Sequence, residues 1–135
     1  MVITTKRAPA PTAQTQLKIK TGAVTRLVKE RSVYIQEIES QQARVEEYRL
    51  LATNETDAKK QKDRDADLRK QNEVLEETVQ MVPHMERRIR DAMQDLENLV
   101  ISTQQQEEQL DDDAKAALTN AKTAIEAAAS SIAAK

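Results

Sequence analysis

Cysteine, tryptophan and phenylalanine are absent from the 135 residues; glycine occurs once, tyrosine twice and proline three times. Each shortage removes a class of protein. Without cysteine there is no disulfide framework, no zinc–thiolate centre and no thiol nucleophile, a composition that fits a reducing compartment. β-Turns and hairpins draw on Gly and Pro for backbone angles that other residues avoid. Strands favour aromatic and β-branched side chains. The composition therefore argues against a sandwich, a barrel or a dinucleotide-binding α/β domain. No stretch approaches the roughly 18 consecutive apolar residues of a membrane-spanning helix. Nineteen residues are alanine, which pack closely but bury little, so the chain suits a narrow core.

Charge is plentiful and unevenly placed. Residues 1–31 hold seven Lys/Arg against one Glu, whereas residues 32–135 hold 14 Lys/Arg against 22 Asp/Glu. A basic end on an acidic body favours an acidic partner at that end and argues against wholesale coating of nucleic acid.

Hydrophobic periodicity then organises the chain. Residues 1–15 lack an apolar period, and the Ala-Pro-Ala-Pro run at 8–11 cannot continue a helix, so this segment reads as a flexible tail. The remainder, 16–135, reads as one bundle of three helices, about 16–53, 57–101 and 111–133. In the first, Leu17, Val24, Leu27, Tyr34, Ile38, Val45, Tyr48 and Ala52 recur at threes, fours and sevens. Arg31 and Gln41 are polar intruders in that stripe, of the kind that fixes register at some cost in stability. At the 53–57 break, Asn54 is a candidate left-handed cap, and Thr56 or Asp57 can cap the next helix.

The second helix carries the strongest signal. Leu68, Leu75, Val82, Ile89 and Leu96 are spaced by seven, with Gln71, Thr78, Met85, Ala92 and Leu99 as companions. Pro83 interrupts the hydrogen bonding of that helix without disturbing its phase, which predicts one kinked helix. Asp111-Asp112-Asp113 sits where a helix N-terminus accepts negative charge. An Ala-rich stripe from Leu110 to Ile132 follows. The pattern predicts an all-α fold: an elongated antiparallel three-helix bundle with coiled-coil-like packing.

No catalytic constellation emerges. His84 is the only imidazole and reads as a surface residue beside the Pro83 bend, with no nucleophile–base pair around it. The carboxylates fall on solvent faces at helical spacing, not in metal-ligand clusters. No Gly-rich phosphate loop exists. A non-enzymatic protein with no cofactor and no metal is the expectation, acting by binding another protein. The basic residues lack the aromatic platforms of single-stranded nucleic-acid binders.

Several runs resemble one family. Lys18-Ile19-Lys20-Thr21-Gly22, Val24, Arg26-Leu27-Val28-Lys29-Glu30, Tyr34 and Glu37 are similar to the opening of tubulin-binding cofactor A. Lys70-Gln71, Glu73, Leu75-Glu76, Met81, Pro83, Arg87-Arg88, Ala92 and Asp95-Leu96 continue the likeness, which covers about 16–100. The resemblance implies a three-helix chaperone that receives β-tubulin during assembly of the tubulin heterodimer, in the cytoplasm beside the cytoskeleton, without nucleotide, nucleic acid or membrane. The 15-residue tail and the Ala-rich third helix depart from the family pattern. Under this reading the partner-binding candidates are the bases Lys18, Lys20, Arg26, Lys29, Arg87 and Arg88. Apolar residues outside the stripe (Val33, Leu50, Leu51 and Met81) would supply contact area. The chain would act as a monomer or a side-by-side homodimer. The competing class is a structural coiled-coil scaffold or oligomerisation subunit, whose seam would close between chains.

Overall fold

The computed structural model describes residues 12–134. Helix α1 spans Ala13–Asn54, α2 Ala58–Gln104 and α3 Asp112–Ala133, with a 3-10 turn at Glu107–Gln109 before α3. No strand occurs among the described residues. The fold is an all-α three-helix bundle, as the periodicity predicts.

Local chemistry sets the helix ends. The tail expected over 1–15 lies outside the described residues for 1–11, but Ala13–Thr15 are helical. Thr12 caps α1 there: its Oγ1 accepts the Thr15 N–H at 3.2 Å, which satisfies one of the orphan donors of a helix start. No described residue has positive φ, so Asn54 does not adopt the left-handed cap anticipated for it. The chain leaves α1 through a Glu55 N–H to Ala52 carbonyl bond of 3.4 Å. Asp57, not Thr56, caps α2, its Oδ1 accepting from Lys59 N at 2.9 Å and Lys60 N at 3.2 Å. Asp111 does the same for α3, accepting from Ala114 N at 2.8 Å. Helix α2 runs on to Gln104, three residues past its expected end, because Thr103 is still buried.

Pro83 lies inside α2, which is helical on both sides of it. The ring removes the N–H that would bond the Val79 carbonyl, yet the heptad phase holds, and Met85 and Ile89 beyond it are buried.

Two compact units divide the chain: one holds the segment up to Thr25 together with everything from Asp91 onward, the other holds Arg26–Arg90. In the first unit the start of α1, the end of α2 and α3 pack together. Leu17, Val24 and Leu96 are fully buried, and Val100, Thr103, Ala114, Ala117, Leu118, Ala121 and Ala128 join them. Alanines on α3 let its backbone approach closely, which is why a small-residue stripe still makes a core. Lys20 Nζ, 3.4 Å from Asp95 Oδ2, links α1 to α2.

The second unit is an antiparallel hairpin of α1 and α2. Leu27, Ala52, Met85 and Ile89 are its buried apolar residues. The rest of its seam is only half-buried: Tyr34, Ile38, Val45 and Tyr48 of α1, and Leu68, Leu75 and Val82 of α2. Both polar intruders sit in this seam. Arg31 is buried and donates from Nε and Nη2 to Glu86 Oε1 at 3.2 and 3.0 Å. Gln41 is half-buried with its Oε1 unpartnered. At the turn, Arg64 Nε lies 3.5 Å from Glu55 Oε2.

Candidate partner-binding surface

The hairpin presents the features expected of a binding surface. Heptad geometry gives each residue a side, because positions flanking a seam fall to its left or right and the remaining positions face outward. Arg26 of α1 and Arg88 of α2 flank the seam on the same side. Lys29 and Arg87 occupy the outward backs of α1 and α2. All four side chains belong to exposed residues. Arg87 Nη2 lies 3.0 Å from His84 Nδ1; guanidinium only donates, so Nδ1 is the acceptor. Arg88 Nη1 reaches the Met85 sulfur at 3.7 Å. Neither Arg26, Lys29 nor Arg88 has an ion pair among the described residues.

The other two candidates belong to the first unit. Lys18 is exposed, whereas Lys20 is half-buried at an inward-facing position and committed to Asp95. The structure thus brings Arg26 and Arg88 to one side of the hairpin, sets Lys29 and Arg87 on its outer faces, and turns Lys20 inward.

Apolar surface accompanies the bases. Val33, Leu50, Leu51 and Val74 of the hairpin are large, apolar and exposed, as is Val79 on the opposite side of the seam. An open depression on α1 is lined by Glu30, Val33, Tyr34 and Glu37. A larger one on α2, around Pro83, is lined by Glu77, Thr78, Gln80, Met81, His84 and Arg87. Scattered exposed apolar residues are ordinary; Val33 and Val74 are set apart by sharing the side of the seam that carries Arg26 and Arg88. Val74, seven residues before Met81, was not singled out from the sequence as a contact; that spacing is the signal that could have found it.

Electrostatics add little perturbation. On the exposed face of α1, hydrogen bonding from Arg49 holds the Glu46 carboxyl below the usual carboxylate range, and the same contact raises Arg49. Among the described residues, no group of three or more His, Cys, Asp or Glu could hold a metal ion, and no helix is long and apolar enough to cross a membrane.

Fold and surface together describe an all-α three-helix protein with exposed bases and apolar residues on its helix faces. Comparison with known proteins identifies the kind: residues 12–125 match the family model of tubulin binding cofactor A, and the chain belongs to that family. It is 35% identical over 117 residues to tubulin-specific chaperone A of Saccharomyces cerevisiae, covering 84% of this chain and 97% of that one. The human protein of the same name is 34% identical over 93 residues, 69% of this chain and 77% of that one. The rabbit (Oryctolagus cuniculus) protein is 37% identical over 93 residues, with the same shares of the two chains. No solved structure matches the chain.

Proposed function

We propose that this protein is a tubulin-folding chaperone that captures β-tubulin on the way to the heterodimer, by helical faces and without catalysis. Family membership across 12–125 carries the reading, and the relatives' name, tubulin-specific chaperone A, supplies the client class. The surface is suited to the task. Tubulin is acidic, so Arg26, Lys29 and Arg88, which have no ion pair among the described residues, steer encounter. Exposed Val33, Leu50 and Leu51 supply the desolvated area that charge alone lacks, and Met81 adapts its shape to a client not fully folded. The place of action follows the partner: the cytoplasm, next to the cytoskeleton. Sedimentation of the free chain separates a monomer from a side-by-side homodimer.

The test is capture of β-tubulin at physiological salt by the protein with Arg26, Lys29, Arg87 and Arg88 changed to Glu. Reversing four bases is expected to weaken capture on the order of tenfold or more, with the helical circular dichroism spectrum unchanged. Full capture by a folded variant rejects the role of the bases.

A further inference from the structure

We infer that one side of the Arg26–Arg90 hairpin is a seat for a single amphipathic helix of the client, with a carboxylate of that helix set against Arg26 and Arg88. The inference rests on the capture of β-tubulin proposed above. The two sides of this hairpin differ. One carries Val28 and Ile35 of α1 with Val79 and Glu86 of α2. Arg31 reaches Glu86 at 3.0 Å, and Arg90 lies 3.9 Å from the same carboxylate, so ion pairing latches that side. The other carries Arg26, Glu30 and Val33 of α1 with Val74, Met81 and Arg88 of α2. Among the described residues no ion pair crosses it between Arg26 and Arg44.

Register brings the parts of the unlatched side together. With Arg31 opposite Glu86, Val33 and Tyr34 stand level with Pro83 and His84. The depression holding Val33 and Tyr34 and the one holding Met81 and His84 therefore open at the same level. Val33 is 54% and Val74 41% exposed, and the same register sets Met81 between them, along a strip of about 15 Å. Arg26 and Arg88, exposed and without ion pairs among the described residues, close one end of the strip, with Glu30 beside them, and Glu37 and Glu77 border it further along. That charge pattern specifies the occupant. It is a helix with apolar residues at the i, i+3, i+4 and i+7 spacing, an Asp or Glu at the end lying against the two arginines, and a Lys or Arg about two turns along, near Glu37.

The experiment uses the full chain with a photo-crosslinking residue in place of Val33, Met81 or Val79, and β-tubulin diluted from denaturant as the probe. Adducts are expected from positions 33 and 81, joined to one helical peptide of β-tubulin, at about five times the yield from position 79. Val33→Asp with Met81→Asp is expected to lower capture about tenfold, whereas Val79→Asp on the latched side stays within about twofold. Arg26→Lys with Arg88→Lys should retain capture and the corresponding Glu pair should lose it. Circular dichroism confirms that each variant is folded. Equal yields from the two sides, adducts mainly from position 79, or adducts joining two copies of this chain overturn the seat. If the unmodified chain captures no β-tubulin, the proposed function itself fails. If it captures β-tubulin and Val33→Asp with Met81→Asp changes nothing, only the seat fails.

Discussion

In the unit that contains α3, the helix pair α1–α2 buries Leu17, Val24 and Leu96 completely; in the unit made of α1 and α2 alone, Tyr34, Ile38, Leu68 and Leu75 stay half-exposed. The heptad phase is the same in both. What differs is the number of walls: two helices shield the line where they touch, and a third also covers the flanks of that line. A pair of helices therefore gains less from burial per apolar residue, and it keeps a side free for another helix. Its seam is also more polar. The three-helix unit fills its interior mostly with Leu, Val and Ala, with Thr103 and the half-buried Lys20 as its polar members, whereas the hairpin places Arg31, Gln41, Gln71 and Thr78 at seam positions.

The largest expected difference lies in core truncation. Leu96→Ala in the three-helix unit should cost about 2–5 kcal/mol, and Leu75→Ala in the hairpin clearly less, because half-buried side chains leave little cavity. Urea unfolding of the two variants makes the comparison, and equal losses would break it. Next comes the latch. Glu86→Ala takes a carboxylate from the buried Arg31 and should destabilise by about 1–3 kcal/mol, allowing for the partial exposure of Glu86, whereas Arg31→Met with Glu86→Leu should be near neutral. A double replacement as costly as the single one would mean that the pair contributes more than charge neutralisation. Smaller again is Gln41→Leu. It removes an unpartnered buried oxygen and makes the hairpin seam more like its neighbour's, so it should stabilise by about 1 kcal/mol in a thermal melt.

The smallest effect is a pH dependence at the hairpin surface. Glu46 is held below the usual carboxylate range by Arg49, its Oε2 accepting from Arg49 Nε at 2.9 Å. A depressed folded-state pKa gives stability that is present at neutral pH and lost as the pH falls through that lowered value. Arg49→Ala should remove this slope, so that the variant melts slightly below the parent at neutral and alkaline pH and the two curves converge as the pH falls below that lowered value. The pair is fully exposed, so only differential titration of the two proteins will resolve it.

Much of this architecture was legible in the sequence. Leu68, Leu75, Val82, Ile89 and Leu96 declare α2 by spacing, and Asp57 and Asp111 mark helix starts by their chemistry. The phase also carries through Pro83, which is why one α2 could be read across it. The division into two units was not legible, since the heptads of α1 and α2 run past Thr25 and Asp91 without interruption. That division depends on how far α3 packs, and small residues such as Ala117 reveal their burial only once neighbours are in place. The bases were legible one by one. Their neighbours were not: Lys20 faces Asp95, and Arg26 stands near the level of Arg88 because Arg31 pairs with Glu86, a register set by two residues 55 positions apart.

Amide hydrogen exchange of the chain alone and with captured β-tubulin tests most directly whether the hairpin is the client-binding unit. Protection should rise around residues 30–37 and 77–84 and stay level across α3. Protection gained over α3, with the hairpin unchanged, would contradict it.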